Sequence, residues 1–245
     1  MIEGRTEEKL FRQMITCSVC GRENDELRTL CLSCKSFIQG RVDALNLFET
    51  IWGIIESPGI TFRRIVLAKH KNYTIFLSSI AGVTLVFYVA WYKHVADRLQ
   101  SLLPIVGTAL IVGPLAGISF VLALAYIIRF VSKKLGGDPG LKNLFAALAY
   151  GTVPLCFSLV FLIPVEIAVF GSDFFGTNPP PMTIRPVEYS VLLALKSVSA
   201  LWMLFLLVHG TMAANAFPKK KIFSVSLILV ALFVGVVTAL NFVKI

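Results

Sequence analysis

Apolar residues are distributed so that a polar N-terminal part is followed by a series of long apolar runs. Each run holds about 20 residues or more, the length that an α-helix needs to cross the hydrocarbon core of a bilayer. Short connectors between the runs carry most of the charges and several prolines. The pattern predicts an all-α membrane protein, a bundle of five transmembrane helices at 73–92, 102–131, 143–170, 189–215 and 222–243, called spans one to five.

Positive charge alternates from one connector to the next. Four Lys/Arg lie just before span one (Arg63, Arg64, Lys69, Lys71), four in connector 129–142, and three at 219–221. Connectors 93–101 and 171–188 are nearly neutral. Because Lys and Arg are retained in cytoplasmic connectors, we expect the N-terminus in the cytoplasm and the C-terminus outside.

Composition agrees with this class. Hydrophobic residues make up 56% and charged residues 15% of the 245 residues, and the mean hydropathy is +0.79. A water-soluble domain with that composition would aggregate through its surface. The net charge of +9 is explained by the cytoplasmic connectors and anionic lipid, so we expect lipid as a partner and no nucleic acid. We therefore predict an integral, multi-pass membrane protein, located in the plasma (inner) membrane if the chain is prokaryotic.

Four of the five cysteines form two CxxC pairs, Cys17/Cys20 and Cys31/Cys34, with ten residues between the pairs. Four thiolates suit a tetrahedral zinc ion, and they leave no open position for catalysis. We predict a structural zinc ribbon with a hairpin between the pairs and a turn at 23–25. A rubredoxin-like iron site and redox-active dithiols remain as alternatives. So small a unit buries little core, so the metal would be its main stabiliser.

Residues 36–57 show helical apolar periodicity and end at Ser57-Pro58-Gly59. Such a helix either lies flat on the membrane surface, with Trp52 among the headgroups, or packs on the bundle. The chain therefore divides into three predicted parts: a lead and zinc ribbon (1–35), an amphipathic juxtamembrane segment (36–72) and a membrane domain (73–245).

A few polar side chains lie inside the predicted spans, where a functional role is the first hypothesis. Glu166 and Lys196 fall at similar depths in the outer leaflet, so they either pair or stay apart, with Lys196 reaching the outer headgroups. Tyr150 and His209 lie near the inner ends of spans three and four, where a structural hydrogen bond between the helices is expected, with a proton relay as the alternative. The Gly113/Gly117 spacing indicates a homo-oligomer only weakly.

Several short motifs carry a resemblance to a known family. They are, in chain order, Ser57-Pro58-Gly59-Ile60-Thr61-Phe62, Leu135-Gly136-Gly137, Ala149-Tyr150-Gly151-Thr152-Val153-Pro154, Leu201-Trp202 and Pro218-Lys219-Lys220-Lys221. With the five-span pattern, residues 45–245 resemble the Yip1-domain family. The resemblance implies a five-span fold without enzymatic activity, in which Gly136, Gly137, Tyr150, Pro154 and Trp202 are motif residues. An N-terminal zinc ribbon is typical of prokaryotic members.

The sequence favours a non-enzymatic membrane scaffold or adaptor whose cytosolic ribbon recruits a protein partner. No nucleophile and base are placed together in sequence, and the three histidines are scattered. The alternative is a small transporter or channel that uses broken spans two to four, with Pro114, Pro154 and Pro164 as breaks. A wide cavity reaching Glu166 and Lys196 would favour transport, and a tightly packed bundle would favour the scaffold.

Overall fold

The computed structural model describes residues 14–17, 19–25, 28, 30–36, 38, 44–134, 136–215 and 222–242. Helices dominate these residues. In chain order the elements are β1 (Met14–Thr16), β2 (Glu23–Asp25), α1 (Leu47–Glu56), α2 (Pro58–Leu67), α3 (Thr74–Tyr92), α4 (Ala96–Leu99), α5 (Leu102–Lys134), α6 (Leu141–Gly151), α7 (Val153–Phe157), a π-helical segment (Ser158–Leu162), α8 (Ile163–Phe170), a 3-10 turn (Gly171–Phe175), α9 (Pro181–Ile184), α10 (Pro186–Asn215) and α11 (Ile222–Phe242).

Four of the five predicted spans are long and apolar enough to cross a membrane. Span one is α3, span two is α5, span three is the compound helix Leu141–Phe175, and span four is α10. Spans two and four are longer than predicted, since span two continues to Lys134 and span four begins at Pro186. The predicted fifth span corresponds to α11, whose described apolar part is Ser224–Gly235. The fifth crossing stays a prediction, and the basic 218–221 motif lies outside the described residues.

Contacts at the two ends of the bundle show how the spans alternate. At one end, the Tyr150 hydroxyl in span three donates to the carbonyl of Asn72, just before span one, at 2.9 Å. At the other end, the Asp97 carboxylate accepts from the amide of Thr177 at 2.7 Å and from its hydroxyl at 2.6 Å. Connector 93–101 therefore shares one end with the connector after span three, as alternating spans require. Which end faces the cytoplasm stays a prediction.

Spans one and two cross with their backbones in contact. Gly82 of span one lies against Gly117, and a Cβ added at either glycine would overlap backbone atoms of the other helix. A Cβ at Gly113 would come within 2.6 Å of Val83 Cα. The Gly113/Gly117 pair is thus used inside the chain, as small residues are in membrane helix packing. It gives no support to the homo-oligomer that the spacing suggested.

Span three is broken into pieces. Thr152 separates α6 from α7, and the π segment follows Pro154. Proline cannot donate to the helical ladder, so Pro154 interrupts the regular bonding of the span. Side chains add bonds just after this break: the hydroxyls of Ser158 and Ser199 donate to Pro154 O at 3.0 and 3.1 Å, and Thr84 donates to Leu155 O at 2.9 Å.

The predicted helix over 36–57 is shorter than expected. It begins at Leu47, because the Asn46 side chain accepts from the amides of Phe48 and Glu49 and so caps the N-terminus. Residues 39–43 lie outside the described residues. Ser57 ends α1 as predicted, but Pro58 starts a second helix, α2, at once, since proline is favoured in a first helical turn.

Candidate functional site

The strands β1 and β2 enclose the first CxxC pair. They are antiparallel, with Ile15 opposite Asn24. The turn predicted at 23–25 is wrong, because these residues form β2. The hairpin therefore holds the first cysteine pair at its tip, instead of lying between the two pairs.

Both CxxC turns fold the same way. The amide of Cys17 donates to Arg22 O at 2.9 Å, and the amide of Gly21 donates back to Cys17 O at 2.9 Å. The second turn repeats both bonds, from Cys31 to Ser36 O at 2.9 Å and from Lys35 to Cys31 O at 3.1 Å. Gly21 and Lys35, each four residues after the first cysteine of its pair, have φ of 68° and 56°. Lys35 adopts the same left-handed conformation as Gly21 although it is not a glycine, which indicates that the surrounding contacts fix the turn.

The four thiols converge. Cys17 Sγ lies 3.6 Å from Cys34 Sγ, and Cys20 Sγ lies 3.5 Å from Cys31 Sγ; all four sulfurs lie within 4.8 Å of one another. Tetrahedral zinc with bonds of about 2.3 Å places its sulfurs about 3.8 Å apart, so these residues fit such an ion closely. Cys17 and Cys31 are buried, whereas Cys20 and Cys34 are exposed. A four-thiolate ion would cross-link the unit and leave no open position for a substrate.

Two side chains that the sequence did not single out support the sulfurs. Asn24, only 1% exposed, donates to Arg22 O at 2.7 Å and to Cys31 Sγ at 3.5 Å. Its Oδ1 accepts from the amide of Leu32 at 2.9 Å, so it links the two turns. The Ser36 hydroxyl lies 3.2 Å from Cys17 Sγ and 2.9 Å from Cys34 Sγ. The residue types Asn and Ser do not by themselves predict these roles. The one indication in the sequence was that both residues lie close to the CxxC pairs.

The surroundings of two sulfurs favour the thiolate that a metal needs. The Ser36 hydroxyl is the main cause that lowers the pKa of Cys17 to about 6. The backbone amide of Cys34 lowers the pKa of Cys31. Hydrogen bonds to the charged form stabilise it. The pKa of Cys20 moves the other way: a backbone hydrogen bond of Arg22 lowers it, but the Cys31 thiol and the other sulfurs raise it to about 12.

The predicted ion pair in the spans is present. Lys196 Nζ lies 3.1 Å from Glu166 Oε1. Both side chains are buried, with 7% and 1% exposure. The π segment explains how Glu166 reaches the interior: the buried positions Leu155, Ser158, Ile163, Glu166 and Phe170 step by three or four, except for the step of five across the π segment. A π segment inserts one residue per turn, and such insertions are frequent at functional sites.

Aromatic rings surround the Lys196 ammonium. Its Nζ lies 4.4 Å from the ring centroid of Phe174, 4.6 Å from Trp91 and 4.7 Å from Tyr88. These rings form a cage, and their faces attract a cation. The cage was not predicted from the sequence, although aromatic residues at the end of span one are visible there. Within the described residues, Glu166 Oε1, Lys196 Nζ and Tyr88 Oη are buried without a well-aligned hydrogen bond, so the ion pair and the cage carry the stabilisation.

Tyr150 and His209 do not bond to each other, and that expectation is wrong. Tyr150 is fully buried and reaches back to Asn72 O. His209 Nδ1 lies 3.0 Å from Phe205 O on its own helix, and its ring contacts the Phe205 ring at a tilt of 46°, with centroids 4.2 Å apart. The reason is the direction of the two side chains, since His209 remains on the surface of span four.

The remaining motif residues shape the backbone. Gly136, with φ of 80°, ends span two: its amide donates to Lys133 O at 3.2 Å, and that of Gly137 donates to Ser132 O at 2.9 Å. This is the Schellman arrangement, which favours glycine at the left-handed position. Trp202 stacks on Phe157 with centroids 6.0 Å apart and rings 14° from parallel, and so joins spans three and four.

Taken together, these features define a multi-pass helical membrane protein with an N-terminal four-cysteine unit that suits a metal. The Yip1 domain profile matches residues 52–240, which is most of the chain. The chain belongs to the Yip1-domain family. No curated protein and no solved structure matches the chain in the corresponding comparisons. The match begins within α1, so it covers the second half of α1, all of α2 and the spans up to residue 240, but not the cysteine unit.

Proposed function

We propose that the protein is a non-enzymatic membrane adaptor: a five-span bundle holds a zinc ribbon in the cytoplasm, and the ribbon recruits a protein partner. The ribbon's exposed apolar side chains are the observation that carries this proposal. Val19 is 70% exposed in the first CxxC turn, and Leu32 is 61% exposed in the second. Apolar side chains concentrated on so small a unit favour a binding surface.

The packing of the bundle gives the transport alternative less support. Glu166 and Lys196 are both buried, and the Lys196 ammonium lies against aromatic rings. One cavity between the described helices holds about 10 Å³ and is lined by residues such as Ile128, Ser132 and Thr211, toward the opposite end of span two. A space of that size hardly admits one water molecule. A larger and more open cavity of about 580 Å³ lies outside the spans' interior, where Leu47 and Phe48 of α1 face Asn72 and Tyr73.

A comparative capture experiment tests the adaptor. The tagged full chain is captured from membranes in nanodiscs, alongside Val19→Ser/Leu32→Ser, which removes the apolar surface and keeps all four cysteines. Met14→Ser, which changes an apolar side chain of β1 that is 49% exposed, is the matched control. We expect partners held by the wild type and by Met14→Ser to be lost from the double variant, whose zinc content stays unchanged.

Identical partner sets for the wild type and the double variant would refute recruitment by the ribbon. Orientation is tested separately by labelling Cys20 and Cys34 with an impermeant thiol reagent in sealed right-side-out vesicles, after removal of metal. We expect protection in intact vesicles and labelling after lysis. Labelling in intact vesicles would place the ribbon on the outside and contradict the cytoplasmic adaptor.

A further inference from the structure

Helix α1 presents three distinct faces. Thr50 and Ile54 are buried, and Ile54 belongs to an apolar core that includes Phe62 of α2 and residues of the spans, with Leu47 and Ile51 packed beside it. Glu49 and Glu56 form an exposed polar face. Between these two lies an exposed apolar face, which we call the apolar ridge: it consists of Phe48, Trp52 and Ile55.

The ridge is heavily exposed for apolar side chains. Phe48 is 83%, Trp52 62% and Ile55 46% exposed. At about 100° per residue, the centre of the ridge lies about 115° from the centre of the buried face and about 85° from Glu49 and Glu56. A helix with this order of faces rests against protein on one side, has water on another, and leaves a third side for an apolar medium.

The position of α1 in the chain identifies that medium. Helix α2 packs directly on α1: a Cβ at Gly53 would come within 2.7 Å of Thr61 Oγ1. Seven residues after α2 ends at Leu67, span one begins at Thr74. The first turn of span one exposes Ile75 (63%) and Phe76 (52%), which belong to the lipid-facing surface of the spans.

Helix α2 also exposes an apolar side chain. Ile60 is 74% exposed, and the exposed Lys69 follows it before span one, whereas Arg64 is paired with Glu49 of α1. An apolar side chain and a cation in one short segment match the boundary between acyl chains and phosphate groups. The Lys71 ammonium is held elsewhere, because it donates to the Ile65 and Val66 carbonyls at 2.6 and 2.5 Å, at the C-terminal end of α2.

We propose that α1 and α2 form an in-plane elbow whose apolar ridge, with Ile60, is inserted into the lipid leaflet at the N-terminal end of span one. The occupant of the ridge is the acyl-chain boundary of that leaflet. The elbow is fixed to the bundle by its buried face, so it combines the two positions that were alternatives for a helix in this segment. It does not depend on the ribbon having a partner.

Tryptophan fluorescence tests the insertion. A full-length chain with Trp91→Phe and Trp202→Phe reports on Trp52 alone. It is placed, one copy per disc, in nanodiscs whose lipids carry bromine near the carbonyl end of the acyl chains. We expect the bromine to reduce Trp52 emission by about twofold or more, and iodide in the water to have little effect. Bromine near the chain terminus should quench less.

A matched control moves the indole to the polar face of the same helix. In Trp52→Phe/Glu56→Trp, with the same two background changes, we expect strong iodide quenching and weak bromine quenching. If the background variants fail to fold, the difference between the wild type and Trp52→Phe gives the Trp52 signal, since only an exposed side chain changes. A Trp52 that iodide quenches freely in single-copy discs, or that is shielded only with two copies per disc, overturns lipid insertion.

Discussion

The buried pair of Glu166 and Lys196 gives the most quantitative prediction. Lys196→Met removes the ammonium and leaves the Glu166 carboxylate, 1% exposed, buried without its partner. Loss of one partner of a buried ion pair costs about 3–5 kcal/mol. We expect Lys196→Met to reach this range.

Glu166→Leu should cost less. The ammonium then keeps three ring faces at 4.4 to 4.7 Å, and cation–π contacts in a desolvated site are worth about 2 kcal/mol. We therefore expect the free energy of unfolding to fall by about 1–3 kcal/mol, which is the cost of a broken buried pair less the cation–π stabilisation that the cage still provides. The double variant removes both charges, so its loss should be well below the sum, with a coupling of about 2 kcal/mol or more.

Equilibrium unfolding in mixed micelles, with a rising fraction of denaturing detergent, measures these free energies. Lys133→Met is the matched control, because Lys133 lies 3.8 Å from Asp138 in an exposed pair whose loss should cost about 1 kcal/mol or less. Additive single-variant effects would refute the pairing. A Glu166→Leu variant that is less stable than Lys196→Met would refute the role of the cage.

Three further predictions follow from particular contacts. Gly82→Ala should destabilise the bundle by about 2 kcal/mol or more, because its Cβ overlaps the backbone of span two. Gly107→Ala is the control and should be tolerated, because the space around Gly107 is open. Equal melting temperatures for the two variants would contradict the close crossing of spans one and two. Asn24→Ala should weaken zinc binding by about 10-fold or more in a chelator competition, and unchanged affinity would show that Asn24 does not support the site. Burial, with the nearby charge of Lys142, lowers the pKa of Lys71 from 10.5 to about 8. Between these pH values the unfolded chain binds more protons than the folded one, so the free energy of unfolding should rise with pH from about 8 to 10 relative to Lys71→Met. Parallel plots of unfolding free energy against pH for the two proteins would argue against this.

The sequence predicted features that depend on local pattern. Four spans follow from runs of apolar residues, and the cysteine cluster follows from CxxC spacing. The Glu166–Lys196 pair was foreseen as one alternative, because a charge inside a membrane needs a partner at its own depth. Gly136 was visible as part of a motif, but its role required the left-handed φ of 80°.

What the sequence did not reveal depends on contacts between distant segments. The cage needs Tyr88, Trp91 and Phe174 to meet around one ammonium, and the π segment, which turns Glu166 inward, has no sequence signature of its own. The Tyr150 hydroxyl donates a hydrogen bond to Asn72 O because span three packs beside the start of span one. The start of α1 was predicted too early, because the apolar periodicity extends upstream of Asn46. The Asn46 side chain bonds the first free amides of the helix and so sets its N-terminus at Leu47.

Metal content measured on the purified full chain tests the central claim most directly, since the adaptor depends on a ribbon folded around a four-thiolate ion. The protein is expressed without added metal, and zinc and iron are measured per chain by elemental analysis, with Cys31→Ser as the variant that lacks one ligand. We predict about one zinc per wild-type chain, no iron, and loss of the zinc in the variant. A wild-type chain that carries iron, or no metal while its ribbon stays folded, would contradict the account.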